Sequence, residues 1–168
     1  MSVTAIAVKS LREPVEGFLA RYTQSLRLIE RLHRLMLDVI KVELDGLDVQ
    51  NLNSVQTLML NNIGKSELTI GELRSRGYYL GSNVSYNIRK LVDLEYIDYQ
   101  RSKSDRRSVH IRLTEKGRRA SEIVDALYQR QLGSLDVVGN LSSGDLEQVN
   151  STLMRLESFW VNQIRFRL

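Results

Sequence analysis

The chain has 168 residues, of which 42% are hydrophobic and 26% are charged, and its formal net charge is +4. A chain of this length can bury one compact core, or a small core that carries long interaction helices. The absence of cysteine excludes disulfides, thiolate metal sites and thiol-based redox sensing within this sequence. No apolar run approaches the roughly 20 residues of a membrane-spanning helix, and residues 1–13 lack the charge order of a secretory signal. We therefore expect a cytoplasmic protein without membrane contact.

The chain begins with a leader, residues 1–13, which is followed by a long helix. Pro14 suits a first helical turn, and apolar residues then recur at three-and-four spacing. This pattern continues to about Asp45 and Gly46, where the glycine favours a stop.

Three later segments begin with a capping box, in which a cap side chain and a residue three positions on bond to each other's backbone. The pairs are Asn53 with Gln56, Thr69 with Glu72, and Ser142 with the shorter acid Asp145. The apolar spacing predicts helices over 53–63, 69–76 and about 81–95, and two long helices at the end of the chain.

A β-hairpin is predicted between the short helices and the two long ones. Its strands are Ile97–Arg101 and Val109–Leu113, and residues 102–108 form an exposed tip. In the second strand apolar residues alternate with His110 and Arg112, which is typical of a strand with one buried face. Thr114 follows and can cap the next helix. The fold class is therefore mainly α with a small β-hairpin, arranged as a winged helix-turn-helix flanked by long helices.

Positive charge is concentrated around this hairpin. Residues 101–119 contain eight lysines and arginines against two acids, a net charge of +6. Upstream, residues 74–91 add four cations and no acid. Serine, asparagine and tyrosine are interleaved with these cations, a mixture that suits phosphate and base-edge contacts. A solvated basic face is the alternative, and we predict a surface for double-stranded DNA.

Two sequence motifs are typical of one family of regulators. The first, Asp-x-Arg, alternating apolar residues and Leu-Thr-x-x-Gly, is formed by Asp105, Arg107, Val109, Ile111, Leu113, Thr114 and Gly117. The second, Leu-Thr-x-x-Glu-Leu, is formed by Leu68, Thr69, Glu72 and Leu73. With these motifs the sequence resembles the MarR family of transcriptional regulators. The stretch from Tyr78 to Asn87 is most similar to alphaproteobacterial regulators of the LdtR type, which act on L,D-transpeptidase and stress genes.

The resemblance implies a homodimer whose terminal helices intertwine and whose two winged domains read a pseudo-palindromic operator. The apolar stripes of the terminal helices favour a dimer independently, because a small winged domain cannot cover them alone. A monomer in which they fold back onto the first helix is the alternative. We divide the chain into a leader (1–13), a dimerisation helix (14–48), a winged helix-turn-helix domain (49–117) and C-terminal dimerisation helices (118–168).

The resemblance also implies a site for a small effector, typically aromatic or phenolic, where the winged domain meets the dimer helices. Residues that could line it are His33, Met36, Met59 and Tyr128. Each of them is equally at home in a core.

The second helix of the motif is the predicted recognition helix. Its inward stripe consists of Val84, Ile88, Leu91 and Val92. Its outward residues are Ser82, Asn83, Ser85, Tyr86, Asn87, Arg89 and Lys90. Asparagine can pair with adenine, serine with either base edge and tyrosine with a thymine methyl or a phosphate, while the cations clamp the backbone. An ordinary polar helix face is the alternative. Relatives often carry Thr-Arg where this chain has Ser85-Tyr86, so we expect an operator richer in A·T pairs.

In the wing, Arg107 is the first candidate for insertion into the minor groove. Its phosphate-binding partners are Arg101, Lys103 and Arg106. Asp105 is expected to hold an arginine through a charge-assisted bond, or to favour the turn and no more. Relatives usually have glycine after the recognition helix, whereas this chain has Glu95, which makes a left-handed cap less favourable.

Nothing in the sequence has the pattern of a catalytic or metal site. The two histidines, His33 and His110, are not spaced as ligands, and neither a phosphate-cradling glycine loop nor a nucleophile elbow is present. We expect no cofactor and no enzymatic activity. Three functions remain: a ligand-responsive repressor or activator, an architectural DNA-binding protein without ligand control, and an interaction module that has lost DNA binding.

Overall fold

The computed structural model describes residues 15–77, 81–101 and 109–166. Their elements, in chain order, are α1 (Val15–Gly46), α2 (Ser54–Ile63), β1 (Leu68–Thr69), α3 (Ile70–Gly77), α4 (Gly81–Asp93), β2 (Ile97–Arg101), β3 (Val109–Leu113), α5 (Glu115–Leu135) and α6 (Ser143–Phe166). The mainly helical fold with a small sheet is confirmed. The chain forms two compact units, of which the first ends at Val124 and the second begins at Asp125.

All three capping boxes form. In the first, Asn53 Oδ1 accepts from the backbone N–H of Gln56 at 2.9 Å, and Gln56 Oε1 accepts from that of Asn53 at 3.2 Å. The other two join Thr69 with Glu72 and Ser142 with Asp145. Hydrogen bonds from the Ser142 hydroxyl and backbone N–H lower the pKa of Asp145. Because such pairs satisfy N–H groups that a helix leaves open, they determine where each helix begins.

The sheet has three antiparallel strands in the order β1-β3-β2. Strands β2 and β3 have the predicted bounds, and Ile97 lies opposite Leu113. The sequence predicts only these two strands, and that prediction is incomplete, because Leu68 and Thr69 pair with the outer edge of β3. Two residues are too few to show a strand period, so β1 has no pattern of its own in the sequence.

The core of the first unit lies between α2, α4 and the sheet. Its buried members are Leu52, Met59, Leu60, Ile63, Leu68, Leu73, Val84, Ile88, Leu91, Tyr96, Ile97, Ile111, Leu113 and Ala120. The predicted inward stripe of the recognition helix is confirmed, since Val84, Ile88 and Leu91 are buried and Val92 packs against them. Burial of this stripe fixes which face of α4 points away from the core.

Helix α4 ends in a left-handed residue without being followed by glycine. Glu95 has φ 63°. Its backbone N–H donates to the carbonyl oxygen of Val92 at 2.9 Å, and that of Tyr96 donates to the carbonyl oxygen of Leu91 at 2.8 Å. These are the two bonds of a Schellman motif. The left-handed cap that the sequence makes unfavourable is therefore present, because the paired backbone and the buried Leu91 and Tyr96 outweigh the strain at one exposed residue.

A joint at Tyr96 connects α4, the sheet and α5. Thr114 caps α5 as predicted, since its Oγ1 accepts from the N–H of Gly117 at 3.0 Å. The same hydroxyl donates to the carbonyl oxygen of Glu95 at 2.7 Å, and the N–H of Thr114 donates to that of Tyr96 at 3.1 Å. A Cβ on Gly117 would lie 2.0 Å from the Tyr96 carbonyl oxygen. Only glycine allows this approach, which accounts for the Leu-Thr-x-x-Gly motif.

The second unit contains the end of α5 and all of α6. No residue of α6 is buried. Its exposed apolar residues, at helical spacing, include Leu146, Val149, Leu153 and Ile164. Across the ranges that the structure describes, none of the helices is both long and apolar enough to cross a membrane.

Replacing Glu95 with glycine should stabilise the protein. A left-handed conformation costs a residue with a Cβ roughly 1–2 kcal/mol, and the greater freedom of unfolded glycine offsets about 0.5–1 kcal/mol of that cost. We expect Glu95→Gly to raise the free energy of unfolding by about 0.5–1 kcal/mol in denaturant titrations at fixed protein concentration. Glu95→Ala, which removes the carboxylate but keeps the Cβ, should give no such gain. Equal effects of the two variants would contradict the argument.

Gly117→Ala should destabilise the joint at Tyr96. The added methyl group forces α5 away from the Tyr96 carbonyl, and such overpacking costs about 1–3 kcal/mol. Gly133→Ala is the matched control in the same helix, because its Cβ would meet nothing within 4 Å. Alanine is the better helix former, so the control should be neutral or stabilising by up to about 1 kcal/mol in the same titration. A Gly117→Ala protein as stable as the parent would show that the close approach is not required.

Candidate nucleic-acid interface

The face of α4 that points away from the core carries polar and charged side chains. Its exposed side chains are those of Asn83, Ser85, Tyr86, Arg89 and Lys90. At about 100° per residue, Tyr86 lies opposite the midpoint of the buried stripe. The predicted outward orientation of these five residues is confirmed, whereas the side chain of Ser82 lies outside the described part of the chain.

Asn87 does not belong to this face. The sequence predicts it outward, and that placement is wrong, since its side chain is only 8% exposed. Its Nδ2 donates to the backbone carbonyl oxygen of Asn83 at 2.9 Å. Asn87 is three residues after Val84 and four before Leu91, so it shares the edge of the buried stripe. The bond to the preceding turn satisfies its amide, and Asn87 is removed from the set of base-reading candidates.

Lys103, Asp105, Arg106 and Arg107 lie outside the described residues, and so does the side chain of Arg101, whose backbone ends β2. The base of the wing is described. His110 Nδ1 lies 3.1 Å from Glu67 Oε1 on the polar side of the sheet, the side on which the alternation predicts His110.

Several basic residues of the cluster predicted over residues 101–119 form contacts within the protein. Arg112 Nε lies 3.1 Å from Asp98 Oδ2, directly across the two strands. Arg118 donates to Glu115 Oε2 at 2.6 Å and to the carbonyl oxygen of Leu113 at 3.2 Å. The Arg118 guanidinium lowers the pKa of Glu115. These contacts engage cations that a count of charges assigns to DNA.

Two further cations of the cluster are engaged in the same way. Lys116 Nζ donates to the carbonyl oxygen of Leu94 at 2.8 Å and lies 4.4 Å from the centre of the Tyr96 ring. Arg119 Nε lies 3.5 Å from Glu115 Oε1. All four cations between 112 and 119 thus have partners within the chain, and the alternative of an ordinary charged face applies to them. For Arg118 and Arg119 the sequence already indicates these ion pairs, because Glu115 stands three and four positions before them in a helix.

The four residues suggested for an effector site have different surroundings. Met59 is completely buried in the core, which is the alternative that its apolar character left open. On α1, His33 is exposed and Met36 is half-buried, whereas Tyr128 belongs to the second unit, where partial burial raises its pKa.

A different set of residues lines a groove in the first unit. It has a volume of about 340 Å³, and its walls are Val49, Leu52, Tyr96, Glu115, Lys116, Arg119, Ala120 and Ile123. The groove therefore adjoins the joint at Tyr96. Among the described residues, no three histidine, aspartate or glutamate side chains are grouped to hold a metal ion.

Comparison with known proteins shows the domain and the class of regulator to which the chain is similar. Residues 52–117 match the family described as winged helix DNA-binding domain. The chain is 38% identical over 166 residues to the exopolysaccharide II synthesis transcriptional activator ExpG of Rhizobium meliloti (strain 1021), and the match covers 94% of this chain and 84% of ExpG. This relative is a regulator of transcription, not an enzyme.

Solved structures share the fold. The transcriptional regulator SlyA superposes with a TM-score of 0.71 at 19% identity, over 85% of this chain and 98% of SlyA. A mutant MarR from E. coli, complexed with operator DNA, superposes with a TM-score of 0.65 at 18% identity, over 86% of this chain and 99% of that protein. Wing strands, capped helices, the outward face of α4 and the relationship to ExpG lead to one conclusion: this chain belongs to the MarR family of winged helix-turn-helix transcriptional regulators.

Proposed function

We propose that two copies of this chain bind a pseudo-palindromic operator, and that a small aromatic or phenolic ligand modulates this binding in the cytoplasm. The observation that carries the proposal is the outward face of α4. Its exposed Asn83, Ser85, Tyr86, Arg89 and Lys90 lie on a helix whose opposite face is anchored in the core. A major groove about 12 Å wide admits such a helix.

The proposed contacts divide by position along α4. Asn83, Ser85 and Tyr86, in its first half, reach base edges, and Arg89 and Lys90, one turn later, bind phosphates. We assign Arg107 to the minor groove, with phosphate contacts by Arg101, Lys103 and Arg106 and support by Asp105. Arg112, Lys116, Arg118 and Arg119 are left out of the interface, because each has a partner within the chain.

A second copy is the proposed cover for the apolar faces of α1 and α6. Only Ile40 and Leu44 of α1 are buried, although the helix has 32 residues. Its Phe18, Leu28 and Leu32 are exposed, as is the apolar stripe of α6. Faces of this length are characteristic of surfaces that another chain covers, since monomers rarely expose them to water. A symmetric pair of copies would also present two α4 helices to the two half-sites of an operator.

The dimer is tested by one charge on each face of α6. Leu153→Glu puts a carboxylate into the apolar stripe, and we expect it to shift the protein from dimer to monomer in sedimentation at micromolar concentration. Ser151→Glu introduces the same charge on the opposite side of the helix and should leave the dimer intact. A monomeric parent protein would reject the proposed dimer, and a Leu153→Glu variant that remains dimeric would reject this interface.

The effector is proposed to bind in the groove beside Tyr96. Its apolar walls, Val49, Leu52 and Ile123, suit an aromatic ring. A ligand there would contact the residues that tie the end of α4 to α5. Release of operator DNA by benzoate and phenol derivatives, and loss of that release in Ile123→Trp, would support this. If no compound of either class alters DNA binding, the architectural alternative without ligand control is favoured.

DNA binding is tested by selecting bound genomic fragments with the purified protein. We expect one pseudo-palindromic sequence to be enriched, and failure to enrich any sequence would favour the interaction module that has lost DNA binding. ExpG is named as an activator, so activation is the direction of regulation to test first on the genes beside that sequence. That the protein is an LdtR-type regulator of stress genes stays a prediction, and the identity of the genes beside the selected sequence would test it.

The salt dependence of operator binding separates contact cations from structural ones. The slope of log affinity against log salt concentration is negative, and each phosphate contact contributes about 1 to its magnitude. Because both copies in the dimer carry the substitution, Arg89→Ala and Lys90→Ala should each reduce that magnitude by about 2. Arg118→Gln, which removes a cation held by Glu115 and the Leu113 carbonyl, should leave the slope unchanged. Equal changes in all three variants would contradict the division of the basic cluster.

A further inference from the structure

We infer that Tyr86 is the residue by which α4 selects thymine, through contact with the C5 methyl group. The inference rests on the proposed function, because it requires α4 to lie in a major groove. It goes beyond that function by naming one base pair type, A·T, at the position of the half-site beneath Tyr86.

The first support is the position of Tyr86. At about 100° per residue, Val84, Ile88 and Leu91 all fall within one third of the helix circumference, and Tyr86 stands opposite their midpoint. It is therefore the side chain that enters a groove furthest when α4 docks with its outward face. Its exposed fraction of 67% agrees with this orientation.

The second support is the absence of an intramolecular role. Among the residues that the structure describes, the Tyr86 hydroxyl has no hydrogen-bond partner and the ring is not part of the core. Tyr96 is a useful contrast, since it is buried and its hydroxyl donates to Asn51 Oδ1 at 3.0 Å. Tyr86 thus leaves an apolar ring and a free hydroxyl available on the proposed contact face.

The third support is the distribution of charge around the ring. Arg89 and Lys90 follow Tyr86 at three and four positions, so they lie beside it one turn towards the end of the helix. Asp93, a further turn on, would repel phosphate and limits the contact surface at that end. Arg89 and Lys90 can bind the phosphates of the DNA backbone, which leaves the uncharged side chain of Tyr86 to contact a base.

The chemistry of the ring then selects the base. In the major groove only thymine presents a methyl group, and apolar side chains recognise it by direct contact. Guanine is recognised by two parallel hydrogen bonds from arginine or lysine, a geometry that a single phenol hydroxyl cannot supply. A neutral aromatic ring at the centre of the face consequently favours thymine over the other three bases.

The test removes the methyl group alone. In the operator selected above, each thymine of a half-site is replaced in turn by deoxyuridine, which lacks only the C5 methyl group. We expect one position at which the parent protein loses affinity about fourfold, the effect of removing one methyl group from an apolar contact. Tyr86→Phe should keep this discrimination, and Tyr86→Ala should bind the thymine and deoxyuridine operators equally.

Lys90→Ala is the matched control on the same face. It should weaken binding to both operators by the same factor, because a phosphate contact does not depend on the base. If no replacement distinguishes the parent from Tyr86→Ala, the inference is wrong although the operator stands. If Tyr86→Phe loses as much affinity as Tyr86→Ala on both operators, Tyr86 binds a phosphate through its hydroxyl, which also overturns it. Failure to enrich any operator would instead remove the proposed function.

Discussion

The carbonyl oxygen of Tyr96 and the first turn of α5 approach each other so closely that only glycine fits between them. Three elements depend on this approach: the end of α4, the start of β2 and the first turn of α5. Thr114 joins them with hydrogen bonds to the carbonyl oxygens of Glu95 and Tyr96, and Lys116 adds one to that of Leu94. The orientation of α4 relative to the sheet is therefore fixed by backbone carbonyl groups, by the side chains of Thr114 and Lys116 that bind them, and by the absence of a side chain at Gly117.

Strain and charge are arranged around the same joint. Glu95 accepts a left-handed conformation because both hydrogen bonds of the Schellman motif are made and the neighbouring ring of Tyr96 is buried. Cations near the joint, Lys116 and Arg118, bind carbonyl oxygens there. The basic residues of this chain thus have two roles. Those of α5 stabilise the winged domain, and those of α4, in our proposal, bind DNA.

Helix α4 shows which side-chain orientations helical periodicity predicts and which it does not. The stripe of Val84, Ile88 and Leu91 is visible as spacing, and it correctly orients Tyr86 outward. The predicted orientation of Asn87 is wrong because a polar residue at the edge of an apolar stripe is assigned to the polar face when only residue types are considered. Its burial depends on an i−4 bond to the carbonyl oxygen of Asn83, and no pattern of residue types specifies that choice.

The capped helices, the two hairpin strands and the family are predictable from the sequence, because caps, turn residues and periodicity act between neighbours along the chain. The third strand is not, since the partners of Leu68 and Thr69 in β3 lie over forty positions away. The pairing of Arg112 with Asp98 and the bond from Lys116 to the Leu94 carbonyl oxygen are not predictable either. Those partners meet only when the sheet and α5 are assembled, and a charge becomes part of a surface or of a joint according to what the fold brings beside it.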